Sequence, residues 1–133
     1  MEQKFIEIFT GFSDNYGQAD MQRLEIDPIS KKQKPEYRWA QRKITDQDYL
    51  DHLTGTKSIG IQPCNEKNKA RFGAIDIDPN EYQGFNRKFY LDKIKEYNLP
   101  LIPILSKSGG LHLYIFTKDF VGAIIIRSFL TNL

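Results

Sequence analysis

Two acids separated by a single residue, Asp76 and Asp78, close the stretch Arg71-Phe-Gly-Ala-Ile-Asp-Ile-Asp78, and Pro79-Asn80 breaks the run. Alternation along a strand sends Ile75 and Ile77 to one face and both acids to the other. Carboxylates so placed repel by about 2–3 kcal/mol at an effective dielectric of about 20. A divalent cation with oxygen ligands is the commonest counter-charge. Taken alone, D-x-D reads more simply as a solvated, acidic strand end. A second stretch changes the weighing: residues 105–116 read Leu-Ser-Lys-Ser-Gly-Gly-Leu-His-Leu-Tyr-Ile-Phe. Here a Ser/Gly turn opens a strand in which Leu111, Leu113 and Ile115 alternate with His112, Tyr114 and Phe116. His112 therefore leaves the apolar face, as the two acids do. Ser106, Ser108, Gly109 and Gly110 offer hydroxyls and backbone N–H groups that can approach a phosphate closely. S-G-G-x-H alone is more often a hairpin with a satisfied histidine. An acidic strand end, a Gly-rich turn and a His on one face of one small sheet are a more specific combination.

The elements that must position these groups fit a chain of 133 residues, long enough for one domain with a modest core. Apolar content of 40% and charged content of 27% are ordinary for a soluble globular protein. Net charge is +2 and the pI about 8.6, so a polyanionic partner is allowed but not demanded. Cys64 is the sole cysteine, which rules out an internal disulfide framework, fits a reducing compartment and leaves a zinc site without a second thiolate. No apolar run reaches membrane-spanning length, and Met-Glu-Gln-Lys is no signal peptide, so the expectation is a cytoplasmic protein with no membrane partner.

In chain order, Lys4–Phe9 reads as a short helix stopped at Gly11. Residues 18–43 show no clear periodicity; within 31–43, Lys31, Lys32, Lys34, Arg38, Arg42 and Lys43 face one acid, Glu36, with Tyr37 and Trp39 interleaved. Cations with aromatics suit a phosphate backbone and stacked bases, and Lys31, Lys32, Lys34, Arg38 and Trp39 are the candidates. A solvated loop with two aromatics folded on the core explains them equally well. Thr45-Asp-Gln-Asp48 has the form of a capping box and predicts a helix over Asp46–Leu53, ended by Gly55. His52-Leu-Thr54 resembles half of an H-x-T phosphoesterase pair, but His112-Leu-Tyr114 lacks the second hydroxyl. Ser58–Gln62 reads as a strand, expected to pair antiparallel with the Asp-bearing strand. Phe85, Phe89, Tyr90, Ile94 and Tyr97 have helical spacing; Leu101–Leu105 and Leu111–Thr117 read as strands, and Val121–Leu133 as a helix.

From Arg71 the order is β-α-β-β-α, the split βαβ plan without its last strand. It places both helices on one face of the sheet and leaves Asp76, Asp78 and His112 on the open one. The fold class is thus α+β: a partial RRM/ferredoxin-like βαββα unit over residues 58–133, preceded by a small N-terminal α/β segment, helical and basic, over 1–57, the whole forming a single domain. The terminal Ser-Phe-Leu-Thr-Asn-Leu133 reads as cut rather than finished, so a longer parent protein is expected.

Phe72-Gly-Ala-Ile-Asp-Ile-Asp78 followed by Ser108-Gly-Gly-Leu-His112 resembles motifs I and II of the archaeo-eukaryotic primase superfamily. The likeness is strongest to prim-pol domains of phages, plasmids and TOTE conflict systems, in their N-terminal portion. Ile8-Phe-Thr-Gly-Phe-Ser-Asp14, His52-Leu-Thr-Gly-Thr-Lys-Ser-Ile-Gly-Ile61 and the Pro100–Phe116 block add to it, with residues 18–43 unmatched. The resemblance implies a primase-type catalytic core and template-directed nucleotidyl transfer. Asp76 and Asp78 would hold two divalent ions, Mg²⁺ or Mn²⁺; Ser106, Ser108, Gly109, Gly110 and His112 would hold the incoming triphosphate. Implied partners are an NTP or dNTP, a single-stranded or primed DNA template, and a downstream helicase domain or subunit. Two departures stand out. The family's third carboxylate follows on a later strand and has no counterpart here, since Asp119 reads as lying in a turn past the His-bearing strand. The Ser-to-His turn is also shorter than in some relatives. Two alternatives stay open: a non-catalytic RRM-like nucleic-acid-binding module with Tyr114 and Phe116 stacking bases, and a ferredoxin-like domain with no site.

Overall fold

The computed structural model describes residues 2–29, 33–107 and 109–133. It is α+β, as expected, and packs as two compact units, Met1–Lys69 and Ala70–Leu133.

The first unit contains α1 (Glu2–Ile8), β1 (Tyr16–Ile26), β2 (Gln33–Ala40), α2 (Asp46–Leu53) and β3 (Lys57–Gly60). The strands form an antiparallel sheet in the order β2-β1-β3. Two sequence expectations are corrected here. Residues 18–43, read as aperiodic, largely form the β1–β2 hairpin. Its distal half is exposed on both faces, and its register shifts between Ala19 and Leu24, so no single period-2 pattern runs through it. The strand expected to flank the Asp-bearing strand instead pairs with β1, Gly60 opposite Gly17 and Lys57 opposite Asp20.

The helix expected over Asp46–Leu53 is present, and its capping box is complete. Asp48 does more than cap. It is 2% exposed, and its carboxylate accepts from Tyr16 Oη (2.7 Å), Lys57 Nζ (2.7 Å), both Arg42 Nη atoms (2.7 and 2.8 Å), and the Thr45 amide and hydroxyl (2.9 and 2.8 Å). One carboxylate thereby ties β1, β3 and the β2–α2 connection to the start of α2. Phe5 of α1 packs against Tyr49, whose hydroxyl donates to the Phe9 carbonyl at 3.2 Å.

The second unit runs β4 (Lys69–Ile77, entered at Ala70), α3 (Arg87–Glu96), β5 (Ile102–Leu105), β6 (Leu111–Gly122) and α4 (Ala123–Thr131). Its sheet order is β4-β6-β5, which leaves β4 an edge as the split βαβ plan requires. The β5–β6 pair is antiparallel, Ile102 opposite Tyr114 and Ile104 opposite His112. Across β4 and β6, Phe72 meets Phe116 and Asp76 meets His112, so advance along one strand is retreat along the other. Ile77, Leu101, Leu111 and Leu113 form the core, with Tyr90 and Ile94 of α3 and Phe129 and Leu130 of α4 packed on it. Both helices therefore cover the same sheet face. Gly73 lets α4 lie close, because a Cβ there would stand 2.5 Å from Ile126 Cγ2. β6 continues to Gly122, so Asp119 lies within the strand rather than in a turn. No helix among the described residues is long and apolar enough to cross a membrane.

Candidate active site

The open face of the second sheet brings together Asp76 and His112, with Tyr114 and Phe116 beyond them. Neighbours directly opposite in an antiparallel pair share a face, so Phe72 and Asp76 of β4 lie with His112, Tyr114 and Phe116 of β6. His112 Nε2 is 3.3 Å from Asp76 Oδ1, with the side chains 38% and 70% exposed. An imidazole and a carboxylate thus meet in solvent on neighbouring strands.

Asp78 follows the last residue of β4. Its Oδ1 accepts from the Asn80 amide (2.9 Å) and side-chain Nδ2 (2.8 Å), an Asx turn that bends the chain off the sheet. The Ser/Gly turn sits beside this strand end. Gly110 is buried, and a Cβ on it would fall 2.1 Å from the Ile77 carbonyl oxygen and 2.9 Å from Pro79 Cδ. Only a glycine allows the turn to dock there. Gly110→Ala should cost about 1–3 kcal/mol in a urea titration and displace the turn. Unchanged stability and unchanged chemical shifts at Ile77 and Asp78 would contradict the docking.

Inside the turn, the Ser106 amide donates to Gly110 O (3.0 Å) and the Gly109 amide to Ser106 O (3.1 Å); Gly109 has φ +88°. The Gly109 N–H named from sequence for a phosphate is thus already donated within the turn. Ser108 lies outside the described residues. Sequence reading missed Arg87, the first residue of α3, whose Nη2 donates to the Gly109 carbonyl at 2.9 Å. A signal for it was present: a cation at a helix N-terminus opposes the macrodipole, so its placement there asks for a reason.

From His112 the open face continues as a ladder of rings. His112 and Tyr114 meet edge-on at 6.3 Å, Tyr114 and Phe116 stack at 5.8 Å with planes 12° apart, and Phe72 lies 6.3 Å from Phe116. Burial, and then the Asp76 charge, push the Tyr114 hydroxyl pKa up, which keeps it a neutral donor.

The donor set can be tested against a divalent ion. Among the described residues no three His, Cys, Asp or Glu side chains converge on one point, so no all-protein metal cage exists. Asp119 offers no third ligand, since seven residues of extended strand set it about 23 Å along β6 from His112. Mg²⁺, however, is commonly held by one or two carboxylates plus substrate phosphates. Asp76 and Asp78, at the end of β4 beside the docked Ser/Gly turn, offer the two carboxylates of that kind of site.

The basic candidates in the first unit are arranged differently. Lys31 and Lys32 lie outside the described residues. Alternation along β2 puts Tyr37 and Trp39, 65% and 59% exposed, on the face opposite Lys34 and Arg38. Lys34 pairs with Asp27 (3.2 Å), Arg42 with Asp48 (2.7 Å) and Lys43 with Asp14 (3.8 Å). Arg38 shares a groove with Asp20, Arg23, Glu25 and Glu36, where acids outnumber cations. The structure does not bring these cations and rings onto one surface. His52 packs on Phe5, its Nδ1 3.4 Å from the Lys57 carbonyl oxygen. Cys64 is exposed and unpaired.

No curated protein is found to match the sequence. A family model, the archaeo-eukaryotic primase domain of TOTE conflict systems, matches residues 5–133. With that match over nearly the whole sequence, on a chain whose Asp76 and His112 share one sheet face, the chain belongs to the primase-type nucleotidyltransferase family of the TOTE conflict systems.

Proposed function

We propose that the open face of the β4-β6-β5 sheet carries metal-dependent, template-directed nucleotidyl transfer, in which the 3′-hydroxyl of a primer or initiating nucleotide on a DNA template bonds to the α-phosphorus of an incoming NTP or dNTP and pyrophosphate leaves. The observation that carries this reading is the meeting of Asp76 and His112 at 3.3 Å, beside the turn that Gly110 docks against the end of β4. Asp76 and Asp78 hold Mg²⁺ or Mn²⁺. When bound, such ions neutralise the triphosphate and lower the pKa of the attacking hydroxyl.

The chain's own groups do the rest. His112, in contact with Asp76, orients that carboxylate when its Nε2 is protonated. The same imidazole stands beside the Ser106–Gly110 turn, where it can donate to a phosphate oxygen. Tyr114 and Phe116, both partly exposed with Phe72 buried beside them, present flat surfaces on which template or primer bases can stack, each worth about 1–3 kcal/mol. His112→Ala should weaken Mn²⁺-nucleotide binding about tenfold or more, measured by titration calorimetry; equal affinity would remove His112 from the site.

The ring ladder also favours a second reading, a nucleic-acid-binding surface without chemistry. Primer extension with Mn²⁺, alongside single-stranded DNA binding in chelator, separates the two. Metal-dependent extension supports the first. Tight DNA binding that survives chelation and is lost in Tyr114→Ala/Phe116→Ala, with no incorporation, supports the second.

A further inference from the structure

Resting on the reading just given, we propose that Arg87 is a polyphosphate-binding residue, gripping the end of the nucleotide's phosphate chain from the N-terminus of α3. Its guanidinium reaches the Ser/Gly turn from outside the strand–turn–strand unit, through Nη2 to Gly109 O at 2.9 Å. Among the described residues, the chain neighbours of Gly109 aside, nothing lies within 4 Å of the position a Cβ on it would take, so that side of the turn is open.

A peptide carbonyl takes one of the five guanidinium N–H groups and neutralises none of the charge. Among the described residues Arg87 has no carboxylate partner, whereas the neighbouring Lys88 pairs with Asp92 and Lys93 with Glu96. The first turn of α3 contains no acid, so Arg87 adds its charge to the positive end of the helix dipole. That arrangement is unfavourable in the empty chain and becomes favourable when an anion arrives. Arg87 is preorganised for this, since its bond to Gly109 O already holds the fork at the turn, and a planar fork suits bidentate phosphate recognition.

The test is binding of the whole chain to Mn²⁺-dATP, Mg²⁺-tripolyphosphate and Mn²⁺-dAMP, comparing wild type with Arg87→Ala, Arg87→Lys and Arg87→Gln. Arg87→Ala is expected to weaken dATP and tripolyphosphate about 10–100-fold, the scale of a charge-assisted contact, and to leave dAMP within about twofold. Lysine should recover part of the loss and glutamine none. If glutamine restores full affinity, Arg87 only positions the turn and the phosphate contact is overturned. If Arg87→Ala binds as wild type while Asp76→Ala and Asp78→Ala do not, Arg87 is excluded and the acid-pair reading stands. If wild type binds neither dATP nor tripolyphosphate, both fall together.

Discussion

Alanine at Asp76 is expected to lower Mn²⁺-dependent primer extension by about 10²–10³-fold, the usual scale for removing one preorganised charge from the reacting centre. The side chain is 70% exposed and contributes nothing to the core, so stability should stay within about 0.5 kcal/mol of wild type. Loss of activity without loss of fold is the signature of chemistry. Asp76→Asn keeps the shape and removes the charge, and should be nearly as deficient. Asp78→Ala should be equally inactive but slightly less stable, because Asp78 Oδ1 also holds the Asn80 amide. Extension by either alanine variant at the wild-type rate would remove that acid from the assignment.

The second large effect lies in the first unit and concerns stability. Asp48→Ala leaves Arg42, Lys57 and the Tyr16 hydroxyl around an empty position and removes the side-chain half of the capping box, the carboxylate that accepts from the Thr45 amide. Breaking a fully buried ion pair from one side costs about 3–5 kcal/mol. With the Arg42 side chain 50% exposed and able to recover solvent, the expected loss is about 2–3 kcal/mol, still a large part of the total stability of a small domain. Chemical denaturation should show this, and a loss below about 1 kcal/mol would mean the cluster is dispensable.

The same cluster fixes a pH dependence. Burial alone would raise the Asp48 pKa, but hydrogen bonds from Arg42, Lys57, Tyr16 and Thr45 outweigh it and hold the carboxyl well below the usual carboxylate range. A pKa depressed on folding gives stability that is fully present above the unfolded value of about 4 and is lost as pH falls below it. Wild type should therefore lose stability progressively below about pH 4, and Asp48→Asn should show a flatter acid limb. Burial, then the Asp48 contact, push the Tyr16 pKa up, so this phenol stays protonated through the alkaline range as the donor the cluster needs.

The second unit was largely legible because its strands alternate in the simplest way. Leu111, Leu113 and Ile115 against His112, Tyr114 and Phe116 gave the buried and open faces without reference to any other segment. The capping box at Thr45–Asp48 was equally local and placed α2 correctly. What escaped were long-range choices. Nothing within Lys57–Gly60 says that its partner is β1 rather than β4. The β1–β2 hairpin hid because an arm exposed on both faces has no apolar side to announce it. The acids that pair with Lys43, Lys34 and Arg42 of the basic run, Asp14, Asp27 and Asp48, lie elsewhere in the sequence, so the run itself gave no sign of them. Asp48 read as a cap and no more, since its cationic partners come from β3 and the β2–α2 connection. Arg87 was missed because one cation in a helix carries no periodic signal; its contact spans a turn of the fold, not of the sequence.

An amide-resolved NMR titration of the whole chain with substoichiometric Mn²⁺ and dATP tests the central claim most directly, because a paramagnetic ion broadens only the signals near it. Selective broadening of Asp76–Asn80 and of the amides from Gly109 to His112, absent in Asp76→Ala/Asp78→Ala, is the predicted result. Broadening centred on other acids, such as Asp46 and Asp51, with Asp76 and His112 sharp would contradict it.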